Sequence, residues 1–384
     1  MLKNKKKHAL LCTCLDNQSW RRIRDLNPSA AFTTYELSKP APSASWVILR
    51  AFSIILENKI KYNHICMILL KITLKDANQR VDKYVKKYLN EAPLSFIYKL
   101  FRKKDVKINK HWVKENYILQ EGDELAIYIS DQQLEEFNKP KEIEKVNLNH
   151  PIIYEDENIL IVDKPRGLLV HGDENEKVVT LANEVINYLY FKGEYDPKEK
   201  GFIPAPAHRL DRNTSGMVVF AKNLISLQIL EELFKNKDNI DKEYLALVKG
   251  RVDQKLEIDS PLLKDEKTGT VRISKYGKSA LTFLEKVKFY GDFTLVKVRI
   301  LTGRTHQIRV HLASLDHPVI GDSKYGDFKI NKMFKDLYGF ENQFLHAYKL
   351  KFKNIDSKLS YLSNKEFISP LPSELDKLLK KINS

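Results

Sequence analysis

The sequence lacks the features that mark secreted and membrane-spanning proteins. Its three cysteines all precede Met67, so we expect no disulfide framework in the rest of the 384-residue chain. No stretch reaches the roughly 18 apolar residues that a membrane span needs; the best candidate, residues 46–56, is short and broken by Arg50. The basic start is followed by too brief an apolar run for a signal peptide. By elimination we expect a cytoplasmic protein without a membrane segment.

Sequence motifs for cofactors are missing as well. The chain has neither the Walker glycine loop of ATP-binding proteins nor a dinucleotide-binding fingerprint. His208, His306 and His311 could suggest a metal, but no third and fourth ligands follow them at a recognised spacing. We therefore expect no metal and no cofactor.

Positive charge is what the sequence has in excess. The formal net charge is +15 at pH 7 and the isoelectric point is about 9.3. Such an excess attracts polyanions, either nucleic acid or an anionic membrane surface. Charge alone does not choose between these partners, and a solvated basic surface with no partner is a third reading.

Residues 1–66 differ from the remainder of the chain. They hold all the cysteines and two of the three tryptophans, and they show no sustained helical or strand periodicity. The stretch 24–51 resembles a peptide read from the antisense strand of a tRNA gene. We expect residues 1–66 to be a non-native extension produced by an upstream start codon, with Met67 as the genuine start. A disordered tail and a targeting segment are the alternatives.

Residues 67–130 have the pattern of a small α+β domain. Apolar positions predict a helix within residues 76–90, and Pro93 opens a second helix with a basic face. The strings RVDKYV, FIYKLFRKKDVKINK and EGDEL resemble the S4 RNA-binding domain. The resemblance implies RNA contacts by the second helix and its end, through Lys99, Arg102, Lys103 and Lys104. Cations near a helix C-terminus also complement the helix dipole, which is the alternative explanation for the last two lysines.

The remaining chain reads as a linker followed by a larger domain. Residues 131–149 are polar and contain Pro140, which is typical of a linker. In residues 150–384, strand-like runs outnumber helical ones and several are adjacent in sequence. This order predicts an α+β fold with a mixed, largely antiparallel sheet rather than a doubly wound one.

The string HRLDRNTSGMVVFAK, residues 208–222, is the most informative motif. A run of short polar residues forms a turn before the strand-like MVVFA. Taken alone, Asp211 would be a turn former and His208 a satisfied core histidine.

The neighbouring motifs favour a functional reading. HRLD followed by TSG resembles the signature of the RluA-type RNA pseudouridine synthases. KPRGLLVH at 164–171, DKEYLALVKG at 241–250, LTGRTHQIRVHLA at 301–313, GDSKYG at 321–326 and FLHA at 344–347 resemble further motifs of that family, in the same order. The resemblance spans about residues 150–372, and the S4-like segment precedes it, as it often does in such enzymes.

The resemblance implies a role for each of several residues. Asp211 matches the catalytic aspartate and Tyr244 the active-site tyrosine, which would stack on an extruded uracil. Arg304 matches the basic active-site residue and would be the cation beside Asp211, with Arg309 as the alternative that spacing alone does not exclude. A packed strand tyrosine and surface phosphate contacts are the alternative readings of Tyr244 and the arginines. The weaker assignments are substrate contacts by His208, Arg209 and Leu345.

The reaction that the resemblance implies is the isomerisation of uridine to pseudouridine. The N1–C1′ bond breaks, the base turns, and C5 bonds to C1′, so no electrons or phosphates are exchanged and no cofactor is needed. The target base must leave the RNA stack. The pattern is most similar to the class acting at several uridines of 23S ribosomal RNA, and we expect a monomer. The alternatives are tRNA or other ribosomal targets, a non-catalytic RNA-binding protein, and a metal-dependent RNA hydrolase.

Overall fold

The computed structural model describes residues 65–73, 76–139, 143–197, 202–236 and 239–383. The chain divides into two compact units, one up to Pro140 and one from Lys141. The expected extension lies outside the described residues, apart from its last two positions. Among the residues that are described, no helix is long and apolar enough to cross a membrane.

The first unit is a small antiparallel sheet with helices. Its elements are β1 (Ile65–Lys71), α1 (Val81–Tyr88), α2 (Leu94–Arg102), β2 (Val106–Ile108), β3 (His111–Trp112), β4 (Glu124–Ser130) and α3 (Asp131–Phe137). The strand order is β1-β4-β2-β3. Helix α2 is amphipathic: Ile97, Leu100 and Phe101 are buried in the core of this unit, which leaves the basic face to solvent.

Two features of this unit differ from the sequence-based prediction. Strand β1 begins at Ile65, pairs with β4 from Ser130 onward and buries Cys66, so the predicted boundary after residue 66 falls inside a strand. The predicted linker begins with helix α3. Ser130 and Gln133 form a reciprocal capping box there, and Phe137 packs against the core. The polar composition of this segment hid the capping pair.

The second unit is built around a large sheet. Its elements are β5 (Ile152–Glu155), β6 (Ile159–Lys164), α4 (Leu181–Phe191), β7 (Ala205–Pro206), β8 (Ser215–Ala221), α5 (Leu224–Lys235), β9 (Ile240–Lys249), β10 (Leu256–Asp259), β11 (Leu262–Lys264), β12 (Val271–Ile273), β13 (Leu281–Tyr290), β14 (Phe293–Ile300), α6 (Gln307–Ser314), α7 (Phe328–Tyr338), β15 (Leu345–Phe352), β16 (Glu366–Ile368) and α8 (Ser373–Asn383). Strands β11 and β12 form a separate two-stranded sheet.

The large sheet is mixed and mostly antiparallel, as predicted. Its order is β10-β13-β14-β9-β15-β8-β6-β5, with β16 paired to β15 and β7 to β8. The β8–β15 pair is parallel, whereas the other pairs formed by the described strands of this sheet are antiparallel. The α+β fold class is therefore confirmed.

Helices cover both faces of the sheet because strand residues alternate between them. In β6, Leu160 and Val162 join one apolar cluster with helix α4. Ile159 and Ile161 face the other way and join a second cluster with helix α5. Every residue of β8 is buried, as expected of a central strand covered on both sides.

The parallel β8–β15 pair brings two parts of the signature motifs together. Ser215 and Gly216 at the start of β8 pair with His346 and Ala347 at the start of β15. Gly216 has φ of 112°, and a Cβ there would collide with the backbone of Ala347. Glycine is therefore required where the chain leaves the Asp211 turn and enters the sheet.

Candidate active site

Six of the predicted site residues line one cavity in the second unit. They are Arg209, Asp211, Tyr244, Arg304, Arg309 and Leu345. They come from the turn before β8, from β9, from the loop and helix that follow β14, and from the start of β15. Residues far apart in sequence thus converge on one site.

Asp211 is held in a tight turn at the edge of the cavity. Its carbonyl accepts a hydrogen bond from the Thr214 backbone N–H at 3.0 Å, which closes the turn. Its side chain is 26% exposed, so the carboxylate is accessible to a substrate without being fully hydrated. A carboxylate in such a place can accept a proton or attack an electrophilic carbon.

The cation that contacts Asp211 is Arg309. Its Nη1 donates to Asp211 Oδ2 at 2.8 Å, while its Nε and Nη2 donate to the two oxygens of Asp322 at 2.6 and 2.9 Å. Asp322 also accepts hydrogen bonds from the backbone N–H groups of Lys324 and Tyr325. One guanidinium therefore bridges two carboxylates and orients the one at the cavity.

In this buried cluster, the opposite charges of Arg309 and its carboxylate partners offset the effect of burial on their pKa values. Burial alone would raise the pKa of the fully buried Asp322, but the hydrogen bonds and charge of Arg309 hold this pKa below its usual range. Burial would lower the pKa of Arg309, yet the two carboxylates more than offset it and raise the pKa. Arg309 is consequently a permanent cation beside Asp211.

Arg304 lies elsewhere in the same cavity, which corrects its expected pairing with Asp211. Its side chain is exposed, and its Nε donates to the Ser279 carbonyl at 3.0 Å. Arg309 lies in the first turn of helix α6, and helical side chains point back toward the N-terminus, here toward Asp211. Arg304 precedes this helix and lies in the loop. The structure therefore has Arg309, the alternative that the sequence left open, as the cation beside Asp211.

Tyr244 and Leu345 provide the apolar part of the cavity. Tyr244 lies on β9 opposite Ala347 of β15, and Leu345 is buried at the start of β15. Burial, with the nearby charge of Asp211, raises the pKa of Tyr244, so its phenol is neutral at pH 7. Arg209 is exposed at the cavity and is free to reach a polyanionic ligand.

His208 occupies a structural position next to the site. Its Nε2 accepts a hydrogen bond from the Val219 backbone N–H at 3.1 Å, and its ring packs on Phe234. Burial and the charge of Lys242 lower the pKa of His208 to about 3, so the ring is neutral. These contacts match the reading of His208 as a satisfied core histidine, and the assigned substrate contact stays a prediction.

Lys164 is a functional candidate that sequence reasoning did not assign. It is fully buried, and its Nζ donates to the carbonyls of Pro165, Leu168 and Arg212 at 2.8 to 3.0 Å. Burial lowers the pKa of Lys164 to about 7, although the charges of Asp211 and Asp163 oppose this shift. Since Arg212 directly follows Asp211, Lys164 connects the Asp211 turn to the end of β6. Its place in the KPRG motif was the available signal.

Asp322, His306 and Tyr325 were also left without a role in this site. Asp322 and Tyr325 belong to the GDSKYG motif, and His306 precedes helix α6. Asp322 contacts Arg309 and Tyr325 contacts His306 from one motif to the next, so only the motifs themselves pointed to these residues. In the described part of the chain, no three His, Cys, Asp or Glu side chains are grouped so that they could hold a metal ion.

The basic residues predicted on helix α2 lie in the first unit. Lys99, Arg102, Lys103 and Lys104 are all exposed at the C-terminal half of α2 or just after it. The Lys104 ammonium lies 4.9 Å from the ring centroid of Trp112, whose side chain is exposed on β3. This surface is available to a ligand.

Comparison with known proteins identifies a family match and relatives that align with most of this chain. A family described as RNA pseudouridylate synthase matches residues 158–314, a range that includes Asp211, Tyr244 and Arg309. The chain is 33% identical over 312 residues to the ribosomal large subunit pseudouridine synthase C of Vibrio cholerae, covering 80% of this chain and 94% of the relative. The protein of the same name from Escherichia coli is 34% identical over 291 residues, covering 74% and 88%.

A solved structure is similar as well. It is human RNA pseudouridylate synthase domain containing 4, with 24% identity and a TM-score of 0.48, covering 60% of this chain and 92% of that one. The identity to the bacterial relatives, over nearly their whole length, decides the assignment. This chain belongs to the RluA-type family of RNA pseudouridine synthases, enzymes that isomerise uridine in RNA.

Proposed function

We propose that this protein forms pseudouridine in ribosomal large-subunit RNA, with Asp211 as its catalytic carboxylate. The observation that carries the catalytic assignment is the Asp322–Arg309–Asp211 chain of ion pairs, which ends at a cavity lined, apart from Leu345, by residues of the family's matched region. The guanidinium donates a charge-assisted hydrogen bond that orients the Asp211 carboxylate at the cavity. Asp211 then attacks the ribose or the uracil ring, or assists departure of the base.

The other cavity residues fit the needs of an extruded uridine. The neutral Tyr244 ring offers a stacking surface, and base–aromatic stacking is worth about 1–3 kcal/mol. Leu345 walls the pocket on its apolar side. Arg209, exposed at the cavity, would occupy the space that the flipped base leaves in the RNA. The reaction breaks the N1–C1′ bond, forms the C5–C1′ bond, removes the proton from C5 and adds one to N1, so we propose that it proceeds without a cofactor.

The catalytic assignment is tested by Asp211→Asn. This substitution keeps the shape of the side chain but removes its charge and nucleophilicity, so we expect no tritium release from RNA labelled at C5 of uridine. RNA affinity should stay within a few-fold, because charge that attracts RNA is spread over many Lys and Arg residues. Turnover within a few-fold of the native protein would refute the assignment.

The ribosomal target rests on the names of the relatives. Ribosomal RNA as substrate would place the enzyme in the cytoplasm, and we propose that it works there as a monomer. Mapping pseudouridines in the RNA of a strain that lacks the gene tests the target. We expect several 23S positions to remain uridine in this strain. If pseudouridine is lost only from tRNA, the ribosomal target is wrong and tRNA is the substrate.

We also propose that the first unit is an S4-type RNA-binding module. Supporting this are its small antiparallel sheet, the amphipathic helix α2, and the exposed cations Lys99, Arg102, Lys103 and Lys104. Clustered exposed cations on one helix match the regular negative charge of an RNA backbone. This unit would add affinity for long RNA rather than chemistry.

A further inference from the structure

His306 has a backbone conformation that few residues other than glycine adopt. It is the N-cap of helix α6, with φ of 54° and ψ of 19°, in the left-handed region. This conformation is unfavourable for a residue with a Cβ, so the surrounding contacts must hold it in place. Such strained positions cluster at functional sites. His306 lines the same cavity as Asp211.

Tyr325 determines which nitrogen of the His306 ring carries the proton. The Tyr325 hydroxyl lies 2.9 Å from His306 Nδ1, and the same oxygen accepts a hydrogen bond from the Val271 backbone N–H at 2.9 Å. Because the Val271 N–H already donates to this oxygen, we infer that the phenol donates its own proton to Nδ1 rather than accepting a second hydrogen bond there. A neutral imidazole has one N–H, so Nδ1 as acceptor leaves the proton on Nε2.

The ring is neutral at pH 7 because burial lowers its pKa. Asp211 and Asp322 raise the pKa of His306, and Arg309 and Lys324 lower it, but burial is the largest effect and the net shift is downward. The two carboxylates and the two cations around the ring act on its pKa in opposite directions. A neutral ring with one fixed N–H is the consequence.

The protonated nitrogen faces the catalytic carboxylate. His306 Nε2 lies 3.8 Å from Asp211 Oδ2, the same oxygen that Arg309 Nη1 contacts at 2.8 Å. A movement of less than about 1 Å would turn this approach into a hydrogen bond. In the opposite tautomer a lone pair would face the carboxylate and repel it.

We propose that His306 is a positioning residue whose Nε2–H, fixed by the Tyr325 hydroxyl, holds one oxygen of Asp211 and leaves the other for the substrate. The inference rests on the proposed catalytic role of Asp211. It also links the site to strand β12, since Val271 of that strand anchors the Tyr325 hydroxyl.

A matched pair of substitutions tests the role. His306→Gln and His306→Met have similar length and no branch at Cβ, so both bear a similar backbone cost at the left-handed position. Glutamine keeps an N–H that reaches toward Asp211, and methionine has none. We expect methionine to lower kcat about tenfold or more, as for the loss of a hydrogen bond to a charged group. We expect the glutamine variant to keep most of the native kcat. KM should stay within about twofold in both His306 variants, because the hydrogen bond acts on Asp211 rather than on RNA binding.

The tautomer is observable without turnover. In protein labelled with ¹⁵N-histidine, the His306 signals, assigned by their loss in His306→Gln, should report Nε2–H. Tyr325→Phe should abolish this preference while the melting temperature reports whether the fold persists. Equal activity of the Gln and Met variants, or an Nδ1–H tautomer in the native protein, would overturn the inference. An active Asp211→Asn enzyme would instead refute the proposed function, whatever the tautomer.

Discussion

Arg309 illustrates how a single residue can serve structure and chemistry at once. Its planar guanidinium presents one edge to Asp322 and a further N–H to Asp211. A lysine would offer a point charge but not this fixed fork, so it would not orient two carboxylates in the same way. The orientation of Asp211 thus depends on Asp322, which is buried behind the cavity wall.

We predict that Asp322→Asn destabilises the fold and lowers activity. The change keeps the shape of the side chain but leaves a buried guanidinium with one carboxylate, and breaking a buried ion pair from one side typically costs about 3–5 kcal/mol. Chemical denaturation should show a decrease of this order, and kcat should fall as Arg309 loses its anchor. The same exchange at Asp376, an exposed partner of Lys380, is the control and should change stability by less than about 0.5 kcal/mol.

The stabilisation by Asp322 should also depend on pH. The pKa of Asp322 is held below its usual range in the fold, so in acid the unfolded chain takes up this proton first. Its contribution is therefore present above the unfolded value of about 3.9 and is lost as pH falls through the lower folded value. The stability difference between native protein and Asp322→Asn should shrink below about pH 4. A difference that stays constant as the solution is acidified from neutrality through this range would contradict the prediction.

At the residue level, the sequence predicted residues that the fold brings to one cavity, but it assigned the wrong arginine as the partner of Asp211. Motif order alone selected Asp211, Tyr244, Arg304, Arg309 and Leu345, and all of them line the cavity. The partner of Asp211 was misassigned because it depends on where helix α6 begins, at Gln307. The roles of His306 and Lys164 depend on hydrogen bonds to distant segments, which spacing along the chain does not reveal.

At the scale of elements, the close parallel pairing of β8 and β15 brings the Asp211 turn next to Leu345. Gly216 of β8 lies directly against the backbone of Ala347 in β15, and the Asp211 turn precedes it by a few residues. The sequence predicted strand β8 from its apolar run, but not its parallel partner, which lies 131 residues later at the Ser215–His346 pair. Pairing between distant strands is fixed by the whole sheet, whereas local alternation predicts only that a strand exists.

We predict that Gly216→Ala separates these strands and damages the site. Alanine would meet both a positive-φ backbone and the Ala347 main chain, so the strands would have to move. Gly193→Ala is a matched control, because Gly193 also has positive φ but open space around it. Gly193→Ala should cost roughly 1–2 kcal/mol of stability, and Gly216→Ala a further ~1–3 kcal/mol for overpacking. Denaturant titration measures the free energy of unfolding of both variants. Equal decreases would show that the strands accommodate the added methyl group at Gly216 without a further cost.

At the scale of the whole molecule, we propose that the first unit contributes RNA binding and the second unit contributes the chemistry. The net charge of +15 is a property of the entire chain, yet a cluster of exposed cations lies along and after α2 in the first unit. The ion pairs around Asp211 lie in the second unit and combine one guanidinium with two carboxylates, so they add no positive charge that would attract RNA. Long-range attraction of RNA and local chemistry should therefore respond separately to substitution.

The last prediction uses this separation. Replacing Lys103 and Lys104 by glutamine should flatten the dependence of RNA affinity on salt, by up to about 0.9 in the log–log slope for each phosphate that is no longer neutralised. Lys329→Gln with Lys332→Gln, on the exposed face of α7, removes the same charge from the second unit and is the control. Binding to a large-subunit ribosomal RNA fragment is measured by anisotropy over a range of salt, and single-turnover rates are measured at saturating RNA. We expect the salt dependence to change mainly in the Lys103/Lys104 double variant. The single-turnover rate at saturating RNA should change in neither double variant. If both pairs change the slope equally, net charge rather than a basic surface on the first unit attracts the RNA.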